Sequence, residues 1–393
     1  MKNIFIILFS IYFLAGCLEK EIQPNWFVID RPNEPAQFYA TGLHLLHLNK
    51  SKQVIQVGVE REFSGLNDYL LILSFNPKGQ LNWRKQFDIG QDDRPWSVVT
   101  LPDEKFIIIT ENELVMVSNQ GELIWQSKLP KIQVDELQLT QARQVMAWDQ
   151  KIIVVGRGLF VYDLNGKMIH QLNLNQQLWS AIEYKNHLFV FGTGRINIFN
   201  NQFENVQNVQ VSQTSYPPAV GLIQGQNLII ASMSEKVQDA LELTALNSDY
   251  HIQWKIILPD PSTSSFDLPG FPLIEKIGTD KIIIAYSQHP YRRIYIVRTS
   301  DGKIISQQKN KNGIIHSIKV MHQKYVFVQG DRTTELYDDQ LELLTLNKLD
   351  IVADSIGGGM VVTKDAVYIG GGLVHAGTMR TWISQFQKEL NLR

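Results

Sequence analysis

The chain has 393 residues, with 37 lysines and arginines against 39 aspartates and glutamates, a formal net charge of −2; it shows no basic stripe of the kind that binds nucleic acid. Its single cysteine excludes an intramolecular disulfide, an iron–sulfur cluster, a Cys-rich zinc site and a covalent c-type haem. This length buries a large core, either as two or three domains or as one repeat architecture.

Residues 1–16 read as a lipoprotein signal peptide. Met1-Lys2-Asn3 carries one positive charge, and an apolar run from Ile4 to Ala15 follows, broken only by Ser10. That run is too short to span a bilayer, which takes roughly 20 residues. It fits the apolar region of a secretory signal. It ends Leu14-Ala15-Gly16-Cys17, which resembles the lipobox of bacterial lipoproteins. The resemblance implies cleavage before Cys17 and acylation of its thiol, with diacylglycerol and palmitate. A lone thiol in an oxidising compartment is a liability unless it is consumed, and lipidation consumes it. Leu18 follows Cys17. By resemblance to enterobacterial lipoproteins, where aspartate at that place is the usual retention signal, this implies sorting to the outer membrane, facing the periplasm. Residues 17–36, with Pro24, Pro32 and Pro35, read as the lipidated cysteine and a tether. Within it, Trp26-Phe27-Val28-Ile29 could form a strand. No second run of transmembrane length follows, so residues 37–393 are expected to be a soluble body held by its lipid.

That body is built on a repeat, which is the first thing to look for in a long chain. The unit is an apolar strand, a polar loop, a second apolar strand, a tight turn and a strand often carrying Trp. Its clearest copies run from Tyr69 through Gly79 to Trp83, from Leu114 through Gly121 to Trp125, and from Leu159 through Gly166 to His170. Weaker copies lie at Ile198–Asn201, Asn247–Trp254, Ser300-Asp-Gly302, Tyr337–Gln340 and Gln385–Lys388. Asn-Gly, Asp-Gly and Gln-Gly between alternating apolar runs signal hairpins, because glycine takes the positive φ the turn needs. The runs Ile152–Val155 and Ile282–Ala285 read as inner, fully buried strands. Each unit supplies about four strands, and a four-stranded sheet buries both its faces only by stacking radially on others. The predicted fold is therefore all-β: a β-propeller of eight four-stranded blades. Seven blades remain the alternative, because the units near residues 201 and 340 are degenerate. If Trp26–Ile29 forms a strand, it closes the ring against the C-terminal blade. The repeated Trp residues read as packing between blades. Gly357–Gly359 and Gly370–Gly372 read as crowded inner strands, since no helix follows to make them phosphate loops.

The Gly-x-x-x-Trp hairpin resembles the repeats of propellers in the pyrroloquinoline-quinone (PQQ)-like superfamily. The stretch from Gly65-Leu-Asn-Asp68 through Trp83 to Asp92-Asp93 is similar to repeats of secreted bacterial propellers. With the lipobox and the length, the chain resembles the BamB family, the propeller lipoproteins of the outer-membrane β-barrel assembly machinery. That resemblance implies envelope proteins as partners, with barrel-assembly subunits among the candidates.

Chemistry is sparse. Quinoprotein dehydrogenases of that superfamily use PQQ, a calcium ion and usually a disulfide of adjacent cysteines. This chain has neither those cysteines nor an Asp-rich calcium loop, so no cofactor is expected. His44 and His47 stand three apart, which on a strand sends them to opposite faces and makes them poor co-ligands. No nucleophile elbow, Walker loop or His-Glu-x-x-His helix occurs. Asp92-Asp93 and Asp338-Asp339 read as turn formers. No catalytic or metal-binding residue is assigned. The expected function is a non-catalytic protein-binding or scaffold module of the bacterial envelope. The alternatives are a periplasmic enzyme or small-ligand sensor using the central funnel, or a surface adhesin.

Loop lengths point to a binding face. In an antiparallel blade with strands A to D, the A–B and C–D turns share one face of the disc and the B–C and D–A loops share the other. The first set is tight, as at Asp149-Gln150 and Lys185-Asn186. The second is longer, with Glu60–Phe63, Asp92–Trp96, Tyr216–Pro218, Pro259–Pro272, His289–Arg293, Asp331-Arg332 and His375–Arg380. Long loops on a rigid scaffold carry binding groups, and Arg, Tyr and Trp are enriched at hot spots. Arg94, Trp96, Tyr291, Arg292 and Arg293 are the predicted partner-binding residues. Charge reversal at Arg292 and Arg293 is expected to weaken partner capture without unfolding.

Overall fold

The computed structural model describes residues 26–29 and 38–387, apart from 63–67, 91–92, 135–136, 140–141, 175, 193, 211–219, 235–236, 238–239, 260–271, 289–290, 312–313, 331–332, 349–354 and 376–377. The signal, Cys17 and most of the tether lie outside the described residues. So do Tyr216–Pro218, Asp331-Arg332 and most of Pro259–Pro272 on the loop-rich face.

Eight four-stranded antiparallel sheets form a β-propeller, without helices among the described residues. Blade 1 runs outward from the axis as strands A (Phe38–His47), B (Val54–Glu62), C (Asp68–Phe75) and D (Leu81–Phe87). Blades 2 to 7 repeat this order, their A strands starting at Ser97, Gln144, Leu178, Val220, Leu273 and Ile315. The A strands of successive blades touch all round the ring, which makes them the innermost. Blade 8 takes A, B and C from Ser355–Val362, Ala366–His375 and Thr378–Gln387, and its D strand is Trp26–Ile29. Trp26 pairs with Gln385 and Ile29 with Trp382. The N-terminal strand therefore closes the ring. The hairpin expected at Gln385–Lys388 does not form, because strand C runs through Gln387 and its outer neighbour arrives from the other end of the chain. One further hairpin, Ile132–Val134 with Leu137–Leu139, was not predicted; it stands between blades 2 and 3.

The core is eight separate wedges, one between each pair of neighbouring blades, rather than one central mass. Strands B and C supply most of it and are buried on both faces. Phe106–Ile109 and Glu113–Val117 are buried throughout. Ile152–Val155 and Ile282–Ala285 are B strands of this kind. The strand at the axis is A, which is only half-buried, because its inner face meets the channel. Strand D is mostly exposed, as in Leu123–Lys128. The glycines of blade 8 lie where backbones crowd. A Cβ on Gly359 would fall 2.4 Å from the Leu45 nitrogen of blade 1.

Six C–D turns, those of blades 1 to 5 and 7, share one construction. Asn76, Ser118, Asp163, Asn200, Asn247 and Asp338 each accept, on a side-chain oxygen, the N–H groups two and four residues ahead. The residue three ahead has a positive φ. In three turns it is Gly79, Gly121 or Gly166, at 79°, 78° and 80°, and in three it is Phe203, Tyr250 or Leu341, at 63°, 65° and 62°.

The choice follows volume. Trp83, Trp125 and Trp254 on D strands donate Nε1–H to Asn119, Leu164 and Thr299 carbonyls of the next blade's C–D turn, at 3.2, 3.0 and 2.9 Å. Each ring covers the turn glycine: a Cβ on Gly121, Gly166 or Gly302 would lie 2.9, 2.7 or 2.8 Å from it. Where no Trp reaches over, the turn residue is large. Phe203 meets His170 at 5.2 Å and Trp148 at 5.5 Å, and Tyr250 meets Phe189 at 5.3 Å. Gly166→Phe alone, or Trp125→His alone, should each cost about 1–3 kcal/mol through overpacking or a void. The double variant copies the His170–Phe203 pairing one blade earlier and should recover at least half of the summed loss in urea melts. Fully additive losses would refute this volume exchange.

Candidate functional site

On the loop-rich face, three consecutive blades build a stack of cations and aromatics at the channel mouth. Trp96 immediately precedes strand A of blade 2, and Arg143 immediately precedes that of blade 3 (Gln144–Trp148); Trp179 is the second residue of strand A of blade 4 (Leu178–Tyr184). The Arg94 guanidinium lies 5.6 Å from the centre of the Trp96 ring. The Arg143 guanidinium lies 5.0 Å from Trp96 and 5.8 Å from Trp179. The rungs thus alternate Arg94, Trp96, Arg143, Trp179. Contacts of this type contribute about 0.5–2 kcal/mol each, more as water is excluded.

The backbone fixes the rungs. The Trp96, Arg143 and Leu178 amides donate to the Ile109, Val155 and Gly156 carbonyls at 2.8, 2.7 and 2.9 Å. Side chains then lock neighbouring A strands. Ser97 Oγ accepts from the Val145 amide at 3.2 Å, and Gln144 exchanges two hydrogen bonds with the backbone of Ala181, at 2.6 and 3.3 Å. Trp96 Nε1 donates to Glu111 Oε2 at 3.0 Å. Burial lowers the pKa of Arg143; the Glu111 charge opposes this and the neighbouring Arg157 adds to it. Arg143 therefore feels the Glu111 carboxylate and the Arg157 guanidinium together. Arg157 Nε and both polar atoms of the Gln176 amide are buried without a hydrogen-bond partner among the described residues. His44, on strand A of blade 1, shares a hydrogen bond with the Pro95 carbonyl at 3.3 Å. Burial lowers its pKa, the Pro95 bond opposes this, and the Arg94 charge adds to the depression. His47 stacks instead on Tyr368 of blade 8, with ring centres 6.3 Å apart, so the two histidines turn to opposite neighbours as their spacing predicts.

The sequence placed Arg94 and Trp96 on this face and missed Arg143, Arg157 and Trp179. It placed Tyr291, Arg292 and Arg293 in a loop of the same face, but they begin strand C of blade 6 (Tyr291–Arg298). Arg292 and Arg293 are 8% and 2% exposed. Arg292 is ion-paired with Glu335 of blade 7, and Arg293 lies 5.9 Å from the Tyr286 ring centre and 6.0 Å from that of Tyr291. The reason is strand length: the B–C ladder continues to Gln288↔Tyr291, which leaves only two residues between the strands where sequence suggested a longer loop. Tyr291 is half-buried, with the Lys309 ammonium 4.4 Å from its ring centre.

Elsewhere in the channel, Glu275 of blade 6 pairs with Lys319 of blade 7. Among the described residues, no three His, Cys, Asp or Glu side chains gather as a cluster able to hold a metal ion.

No protein-family model matches the chain, and no curated protein sequence does. Solved structures do. BamB from Moraxella catarrhalis superposes with a TM-score of 0.61 at 12% identity, over 92% of this chain and 99% of that one. The C-terminal WD40 domain of Sif2 gives 0.60 at 11% identity, over 88% and 96%. A catalytically inactive variant of virginiamycin B lyase from Staphylococcus aureus, solved with quinupristin, gives 0.53 at 10% identity, over 88% and 99%. At these identities, what the chain shares with all three is the β-propeller fold.

Proposed function

We propose that this chain is a non-catalytic propeller, anchored to the bacterial outer membrane by lipid on Cys17, that holds a protein partner on its loop-rich face toward the periplasm. One observation carries the reading: the Arg94–Trp96–Arg143–Trp179 ladder puts hot-spot side chains on inner-strand ends that hydrogen bonds hold rigid. Tyr291, with Lys309 over its ring and the Arg293 guanidinium 6.0 Å from the ring centre, offers a second contact. The polarity of Trp26–Ile29 agrees with an anchor. As a D strand it starts at the C–D turn face, so a tether preceding Trp26 leaves the disc there and the ladder points away from the bilayer. The lipobox and the likeness to BamB make barrel-assembly subunits the first partners to seek.

The test is affinity purification from crosslinked native membranes, with Cys17→Ser as a mislocalised control. Envelope proteins should co-purify with the wild type, and their yield should fall at least fivefold with Trp96→Ala plus Trp179→Ala. Correct membrane localisation without any captured protein would sink the scaffold reading and favour a small ligand in the funnel.

A further inference from the structure

We infer that the ladder recognises an extended acidic peptide segment, an inference that rests on the partner-binding reading and names the chemistry of its occupant. Stacking engages the flat face of a guanidinium. Its N–H donors lie in the plane and point outward from the edge, as a fork that matches a carboxylate in two parallel hydrogen bonds. A guanidinium held between two indoles, as Arg143 is between Trp96 and Trp179, is already oriented and loses little freedom on binding. Arg94 and Arg143 flank the Trp96 ring and Arg157 lies near Arg143, so three cations gather at these rungs in a chain whose net charge is −2.

One further group points the same way. Arg157 Nε, near Arg143, is buried without a hydrogen-bond partner among the described residues and needs an acceptor, which an acidic side chain supplies. The rungs sit at the starts of three successive A strands, so an occupant that meets every one runs along the rim of the mouth and is extended. Nucleic acid is also anionic and stacks on indoles. The overall negative charge and the small basic sector favour a short acidic segment over a long polyanion.

The test is fluorescence anisotropy on the full chain with three labelled probes: a decapeptide alternating Glu and Ser, one alternating Lys and Ser, and a single-stranded DNA decamer. The acidic peptide should bind saturably and at least tenfold more tightly than either other probe, and more weakly as salt rises. Arg143→Ala with Arg157→Ala should weaken it at least tenfold, and Arg143→Lys, which keeps the charge and loses the fork, should weaken it by an intermediate factor. Arg298→Ala, on the C–D turn face where Arg298 pairs with Asp301 at 2.7 Å, should change nothing. Thermal melts confirm that each variant is folded. Equal binding of all probes, tighter binding of DNA, or undiminished binding by the double variant would overturn the inference. Membrane capture lost on removing the ladder, without acidic preference, would sink this inference and leave the scaffold reading standing. Acidic preference without any captured protein would do the reverse.

Discussion

Removing residues 1–29 should leave the chain unable to hold the closed ring. Trp26–Ile29 is the whole outer strand of blade 8. Trp26 stands opposite Gln385, the register that Trp83, Trp125 and Trp254 occupy in their own blades. Without this strand the backbone of Thr381–Phe386, whose side chains are all buried, becomes an open edge. Blade 8 then lacks the outer strand that its neighbours have, and its strand C loses one of its two ladders. The expected loss is about 5 kcal/mol or more, comparable to the whole stability of many domains. Circular-dichroism melts and limited proteolysis would show it, with a chain lacking only residues 1–23 unchanged. A synthetic peptide spanning residues 24–31 should restore part of the loss in trans. An unchanged melting temperature in the chain lacking residues 1–29 would mean that the other blade contacts alone hold the ring.

Glu335→Ala should be nearly as damaging. Arg292 and Glu335 have side chains 9% and 4% exposed and form an ion pair across blades 6 and 7. Tyr337 donates its hydroxyl to the second Glu335 oxygen at 2.6 Å, and Asn310 donates to Tyr337 at 3.2 Å. Burial raises the Tyr337 pKa, and the Glu335 charge raises it further, so the phenol stays a donor. Removing the carboxylate strands a guanidinium in the interior, at a cost of about 3–5 kcal/mol. Replacing both partners, with Arg292→Met and Glu335→Leu, should recover most of that, because no buried charge then remains unpaired. Urea titration of the three proteins checks the order, and a loss under about 1 kcal/mol for Glu335→Ala would contradict it. By the same argument, charge reversal at Arg292 unfolds this region, and it cannot serve as the selective probe of binding that the sequence suggested.

Blades were legible where the turn residue was glycine, as at Gly79, Gly121 and Gly166, and clearest where Trp83 or Trp125 followed, because both types have a backbone or packing reason visible in one dimension. They faded where Phe203, Tyr250 and Leu341 adopt the left-handed conformation. Those residues tolerate it because the preceding blade leaves room for a large side chain, a fact about a neighbour some forty residues away. The extra hairpin at Ile132–Leu139 alternates apolar and Gln residues for only three positions on each side, too short a period to read as strand. The closing strand and its place against the C-terminal blade were visible, because a ring of blades needs a closing strand; its register was not, since pairing across a whole chain has no local signal. Arg143 and Trp179 escaped notice because they stand at the starts of inner strands. Loop composition picked out Arg94 and Trp96 and passed over their partners. Superposing the repeats by their A strands would have aligned Trp96 with Arg143 and revealed the stack.

Chains are made from the N-terminus, so the strand that completes blade 8 exists first and its partner, Thr378–Gln387, almost last. At the usual pace of about 5–20 residues per second, synthesis of the chain takes roughly 20–80 s. Blades 1 to 7 each meet the next in sequence and can form in turn, but blade 1 also packs on blade 8, which comes last. Trp26–Ile29 has no hydrogen-bonding strand until the end arrives. Throughout that interval the molecule carries unpaired backbone at its leading end, and later an unpaired strand C at its trailing end. Chaperone binding and edge-to-edge aggregation compete with folding in that window, and its length is set by the distance in sequence between the two halves of one blade.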